Sequence, residues 1–324
     1  MARVLSIRTQ DLVKNYGRVR ALRGVSFSIG RGEIYGLLGQ NGAGKTTLVK
    51  ILLGITRATS GEATLLDRPA GEAAVRRRVG YLPEDHRFPD YHSGASLLDF
   101  YGTLLGMPRR QRRRRMPELL GLVGLKSRMH YKIRTYSKGM KQRLGIAQAI
   151  FHDPEVIFLD EPTDGVDPGG RREIRRIMQH LQEQGKTIFL NSHLLSEVEL
   201  ICHRIGILQS GELVREGGVA SLTQQRGHFL IGLAEGEALP EEELRRRGFR
   251  VARQTPFWEV ELPDAQTVDP VVDVIRESGL HLRHLEEKKL TLEDIFLQTV
   301  VEAEPGVDVP VVEDASEGEA RLPR

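Results

Sequence analysis

Short unbroken apolar runs, separated by helix-length mixed stretches, mark the first two thirds of the chain: Ile34 to Leu38, Val79 to Leu82, Val156 to Leu159 and Thr187 to Asn191. A strand covered on both faces reads as a continuous apolar run, whereas a half-solvated strand alternates, so these four predict buried strands of a parallel sheet. Helical patterns lie between them, at Thr47 to Leu53 and at Met140 to Phe151, the second with Ser137 placed to cap it. A further helical pattern, Met116 to Leu125, follows the arginine-rich stretch from Arg109 to Arg115. Val13 to Tyr16 belongs to an early strand.

Beyond residue 225 the pattern changes. Phe229 to Leu233 reads as a strand, Pro240 to Arg247 as a helix, and Phe249 to Arg253 with Phe257 to Leu262 as a hairpin around Thr255-Pro256. Thr267 to Glu277 is a helix and Leu282 to Glu286 a last strand. The order β-α-β-β-α-β is the split ferredoxin-like arrangement. Thr291-Leu292-Glu293-Asp294 then forms a capping box for a final helix to about Val300.

The chemistry begins directly after the run Ile34 to Leu38. Residues 39–46 read Gly-Gln-Asn-Gly-Ala-Gly-Lys-Thr, a phosphate-binding loop standing between a strand and a helix. Gly39, Gly42 and Gly44 let backbone N–H groups, with that of Asn41 among them, turn inward on a polyphosphate without a Cβ in the way. The helix that follows aims its positive end at the same oxygens. Lys45 neutralises the outer phosphates, Thr46 holds magnesium, and Thr47 closes the loop. A phosphate loop alone fits kinases, GTPases and motors equally well. Asp160 and Glu161, at the C-terminal end of the run Val156 to Leu159, narrow the choice, because ligands bind at that edge of an open α/β sheet. Asp160 suits the Mg2+ shell, while Glu161 places a carboxylate where an attacking water must lie, so hydrolysis of ATP is expected rather than phosphotransfer. His193, just past Asn191, falls at the same edge. No Asn-Lys-x-Asp guanine motif occurs, which disfavours a GTPase.

Along roughly its first 225 residues the chain resembles the ATP-binding cassette ATPases, specifically the stand-alone ATPase subunits of exporters. Gly39 to Thr47 resembles the Walker A loop, Asp160 and Glu161 the Walker B carboxylates with the catalytic glutamate, and His193 the switch histidine. Ser137 to Gln142 resembles the signature motif, with Tyr136, Lys138 and Met140 departing from its commonest form. Asp164 to Asp167 resembles the loop that crosses to a partner subunit. The resemblance implies that Tyr16 stacks on adenine, that Glu84 occupies the metal-sensing switch position usually held by Gln, and that Ser137, Gly139 and Gln142 serve the nucleotide held by the other subunit. It also implies a P-loop NTPase cassette: a RecA-like parallel sheet core, an antiparallel β subdomain and a helical signature subdomain. The expected division is 1–225 for the nucleotide-binding domain, 226–301 for a small C-terminal α+β ferredoxin-like domain, and 302–324 for an acidic, disordered tail. Leu290 to Leu297 resembles a C-terminal motif of exporter ATPases and carries no evident chemistry. Dimer contacts or regulation are the expected role of the C-terminal unit, and deleting 226–324 is expected to leave nucleotide binding intact but to alter dimerisation or coupling.

Composition changes this picture little. The net charge of +3 combines a tail from Glu302 to Arg324, with seven acidic and two basic residues, and a remainder carrying +8. The single cysteine, Cys202, excludes an intrachain disulfide, and no Cys/His spacing suggests zinc. No apolar run approaches the roughly twenty residues that span a bilayer, and no signal peptide is apparent, so the expected place is the cytoplasm, peripheral on the inner face of the membrane. The expected partners are a separately encoded transmembrane permease and a second cassette, a copy of itself or a paralogue. The arginine run suits solvent or anionic headgroups, and without interleaved aromatics no nucleic acid is expected. A soluble cassette ATPase acting on nucleic acid or ribosomes is the alternative, although neither a second cassette nor sustained heptads is visible. A third possibility is a module that uses ATP only as a dimerisation switch, with Glu84 as its one motivating feature.

Overall fold

The computed structural model describes residues 4–223, 227–262, 267–288 and 291–303. The boundary expected at 225 and the acidic tail beyond Ala303 lie outside the described residues, and residues 302 and 303, expected to belong to that tail, end the last helix. The chain opens with an antiparallel pair, β1 (Leu5–Tyr16) and β2 (Val19–Gly30), followed by β3 (Ile34–Leu38), α1 (Lys45–Leu52), β4 (Ser60–Leu65) and β5 (Arg68–Pro69). Next come α2 (Ala73–Arg76) and β6 (Val79–Leu82), then a helical section of α3 (Gly94–Leu104), α4 (Arg109–Leu122) and α5 (Lys138–Ile150). The chain returns through β7 (Val156–Asp160), α6 (Pro168–Glu183), β8 (Thr187–Asn191), α7 (Leu195–Ile201), β9 (Arg204–Gln209), β10 (Glu212–Gly218) and α8 (Val219–Thr223). It ends with β11 (His228–Leu233), α9 (Glu241–Arg246), β12 (Arg250–Gln254), β13 (Phe257–Glu261), α10 (Asp269–Glu277), β14 (Leu282–Glu287) and α11 (Leu292–Ala303).

The central sheet has the order β10-β9-β3-β8-β7-β6, parallel throughout except for the antiparallel edge strand β10. Every residue of β3, β7 and β8 is buried, which is why these strands carry no polar alternation. A second sheet, β2-β1-β4-β5, is antiparallel and shares an apolar cluster with one face of the first, where Phe27 stacks on Tyr35 at 5.5 Å and Phe189 joins them. The other face carries α6, whose buried Ile174, Ile177, Met178 and Leu181 recur at helical spacing. Asp167 caps α6 by accepting from Gly170 N, and Pro168 occupies its first turn, where a missing N–H costs nothing.

The arginine-rich stretch is itself helical, not a lead-in to a helix beginning at Met116. Arginine is a good helix former. Arg112 and Arg115 also turn inward, pairing with Asp99 at 2.8 Å and Asp153 at 3.0 Å, so α4 starts at Arg109, well before its apolar positions. The C-terminal sheet has the order β12-β13-β11-β14, antiparallel at every step, with its own apolar cluster around Ile231, Leu244, Trp258, Val260 and Ile275, as the split ferredoxin-like pattern predicts. Among the described residues no helix is long and apolar enough to cross a membrane.

Candidate nucleotide-binding site

Loops leaving the C-terminal ends of β3, β6, β7 and β8 converge on one cleft of about 740 Å3. The loop after β3 wraps the start of α1. Gly44 holds φ +108°, and a Cβ there would stand 2.5 Å from Ala21 O, so only glycine lets the loop lie against β2. Lys45 folds back over its own loop, its Nζ donating to Gly39 O at 2.5 Å and Gln40 O at 3.1 Å. Burial pushes its ammonium below the ordinary lysine value, against the pull of Glu161, Asp160 and Glu84. The cation is thus stored among carbonyls beside three acids.

The acids form the facing wall. Asp160 ends β7 and is buried, accepting a 2.5 Å bond from Asn191 Nδ2 on the neighbouring strand. Burial raises its carboxyl above the ordinary range, and Glu84 and Glu161 add to that, while the Asn191 bond and Lys45 oppose it. Glu161 sits at φ +48°, a costly conformation for a residue with a Cβ. Its surroundings enforce it: Glu161 N donates to Asn191 O at 2.9 Å, and Gln142 Nε2 donates to Glu161 O at 3.2 Å. His193 Nδ1 lies 2.8 Å from Glu161 Oε2, which also accepts from His193 N at 3.3 Å. With Glu161 ionised, Nδ1 is the donor and Nε2 is left for another partner.

Magnesium fits these residues by donor type. Thr46, Asp160 and Glu84 offer only oxygen, and the buried Asn191 Oδ1 has no hydrogen-bond partner. Among the described residues no group of three or more His, Cys, Asp or Glu is placed to hold a metal unaided, so such a cation takes the rest of its shell from phosphate and water.

The cleft brings together Gly39, Asn41, Gly42, Gly44, Lys45, Thr46, Thr47, Glu84, Glu161 and His193, with Asp160 buried at its edge. Besides Asp160, four of the expected residues do not line it. Tyr16 ends β1, 48% exposed, with Lys14 Nζ 4.8 Å over its ring, and its hairpin neighbours Val19, Arg20 and Arg23 line the cleft instead. Ser137 caps α5 by accepting from Met140 N at 3.2 Å, Gly139 lies against Val166, and Gln142 is buried beneath Glu161. Lys138 pairs with Asp164 of its own chain at 3.0 Å, away from the phosphate loop. Sequence reading missed Asn191, though its position at a strand end beside Asp160 was a usable signal. It also missed Arg20, Arg23 and Phe296, the last brought in from more than a hundred residues away with no local sign.

A strand–loop–helix phosphate cradle after β3, a histidine following the adjacent parallel strand β8 and paired carboxylates at the end of β7, one strand further, define a P-loop nucleoside triphosphatase of the cassette type. The chain belongs to the ABC transporter ATP-binding proteins, binds nucleotide and is an ATPase. The family model described as ABC transporter matches residues 22–164, and an AAA domain model matches residues 131–199. An uncharacterized ABC transporter ATP-binding protein of Synechocystis sp. is 42% identical, over 88% of this chain and 80% of that one. The Nod factor export ATP-binding protein I of Bradyrhizobium diazoefficiens is 35% identical, over 89% of this chain and 95% of its own. A solved dimeric bacterial ABC transporter cassette superimposes with a TM-score of 0.60 at 25% identity, covering 66% of this chain and 98% of the other.

Proposed function

We propose that the chain is the energy-coupling subunit of an exporter, working as a cassette dimer on a separate membrane-spanning permease at the inner face of the membrane. The likeness to a Nod factor export subunit supports the direction, and the described chain offers no spanning helix of its own. The carrying observation is that the cleft is half a site. It holds the phosphate loop, Glu84, Glu161 and His193, but neither Ser137 nor Gly139, although that capped helix end with its unpaired N–H groups is suited to an anion. A second protomer supplying Ser137 and Gly139 completes it, as the dimeric cassette among the relatives suggests.

In this reading Lys45 and the glycine loop grip the β- and γ-phosphates, and Arg20 or Tyr16 flanks the base. Thr46, Asp160 and Glu84 hold Mg2+, which when bound neutralises charge on the phosphates. Glu161 accepts the proton of the attacking water, and His193, steered by its Nδ1 bond to Glu161, donates from Nε2 to the γ-phosphate when both ring nitrogens carry protons. Closure on two ATP molecules moves the permease, and hydrolysis with product release reopens the pair. Residues 1–225 form the motor and 226–301 an accessory unit.

Complementation tests the half-site. Lys45→Ala and Ser137→Arg proteins are each expected to be inactive, while an equimolar mixture regains activity, because one of the two sites in a mixed dimer has both native halves. No recovery on mixing, with dimers present, rules the composite site out.

A further inference from the structure

The last helix, α11, follows the ferredoxin-like unit in sequence but packs elsewhere. Its buried Leu292 and Ile295 join the apolar cluster that holds Val198 and Ile201 of α7, not the cluster beneath the C-terminal sheet. Glu199 of α7 accepts from Leu292 N at 3.1 Å, while Thr291 and Asp294 exchange hydrogen bonds across the same helix end. Arg215 of β10 reaches Thr299 at 3.5 Å. Residues 292, 295, 296 and 299 recur at helical spacing, so one stripe of α11 is seated on the motor. Phe296, half-buried in that stripe, packs on the same cluster as Leu195, and both line the nucleotide cleft. Leu195 is two residues from His193.

Resting on the reading of the cleft as the nucleotide site, we infer that Phe296 is a positioning residue of the ATPase reaction. Its ring and Leu195 form an apolar wall beside the His193 loop. The His193 side chain is 54% exposed, and the loop touches Glu161 through one ring nitrogen and one backbone N–H, so its placement depends on what backs the neighbouring segment. The wall also shields one side of the reacting region from water, which strengthens the hydrogen bonds made there. Seating of α11 and occupancy of the cleft are therefore coupled, and the C-terminal unit acts on hydrolysis through this helix.

The full-length protein carrying Phe296→Ala, Phe296→Leu, Leu297→Ala or Lys45→Ala provides the test, with kcat and KM for ATP and the Kd for ADP as readouts. Leu297 is the control because it lies on the same helix, 53% exposed, and does not line the cleft. Phe296→Ala is expected to lower kcat about tenfold, the order of loss that small misplacements of a reacting group produce, with the Kd for ADP changed by less than about threefold. Phe296→Leu restores most of kcat and Leu297→Ala leaves it unchanged. A folded Phe296→Ala protein with wild-type kcat overturns the inference, as does an equal fall in Leu297→Ala. Lys45→Ala separates the two layers: if it still binds nucleotide, the reading of the cleft is wrong, whereas if it loses nucleotide and Phe296→Ala behaves as wild type, only the role of Phe296 fails. Should Phe296→Ala not fold, hydrogen exchange on the unmodified protein decides: slower exchange across 292–299 on adding ADP supports the coupling, and unchanged exchange refutes it.

Discussion

Asp160 is a carboxylate held in a place that disfavours its charge. Its native pKa lies above the unfolded value, so the folded state binds more protons between the two, and stability falls as pH rises through that window and stays lower at neutral pH. Asp160→Asn is therefore expected to raise the Tm of the nucleotide-free protein at pH 7, with the gain vanishing below about pH 4, where the unfolded carboxyl is also protonated. Magnesium-dependent ATPase activity should be lost in the same variant. A Tm at or below wild type at neutral pH would show that the site is not strained by this charge. Glu161→Gln is expected to cut turnover by about 10²–10⁴-fold with ATP binding retained, read by single-turnover kinetics beside equilibrium binding. The identity of both acids was legible from their place after an apolar run. The positive φ of Glu161 and its bond to His193 were not, because they depend on Asn191 of β8 and Gln142 of α5, distant in sequence and brought beside Glu161 only by the fold.

Among the elements, α5 and α11 show how a helix end or stripe serves two purposes. Ser137→Ala removes the N-cap of α5 and should cost about 1 kcal/mol of stability. If Ser137 also completes a partner's site, ATP turnover falls much further than that loss explains, and denaturant unfolding compared with steady-state rates separates the two effects. For α11, Ile295→Ala should cost about 2–5 kcal/mol because the side chain is fully buried against the motor. Periodicity located both helices, and Thr291 and Asp294 announced the start of the second. What periodicity could not say is which cluster α11 joins, since an apolar stripe specifies that a face is covered and not by what. The arginine run in α4 shows the converse: the apolar spacing began at Met116, while the helix begins seven residues earlier because Arg112 and Arg115 find acids on α3 and after α5.

At the level of the whole molecule, the seating of α11 adds a stability cost to the altered coupling expected of the truncation. Removing 226–324 uncovers Val198 and Ile201 and takes Phe296 from the cleft, so the truncated chain should be less stable and slower in ATP turnover; cutting after residue 303 should alter neither, by thermal unfolding and ATPase assay. A composite site further predicts that ATPase specific activity rises with protein concentration until dimers saturate, and a strictly concentration-independent rate from monomers would contradict the dimer. The sequence by itself determined the buried strands that precede the candidate motifs, the ferredoxin-like β-α-β-β-α-β pattern and the residue types suited to phosphate, cation and water, because those signals are local: glycine spacing, caps and short apolar runs. Only the tertiary structure decided that Gln142 is buried beneath Glu161, that Glu161 is tied to His193, and that Phe296 reaches the nucleotide wall. Those facts arise from strands and helices meeting across long separations, where burial of a shared apolar surface, not any neighbouring residue, fixes which groups face each other.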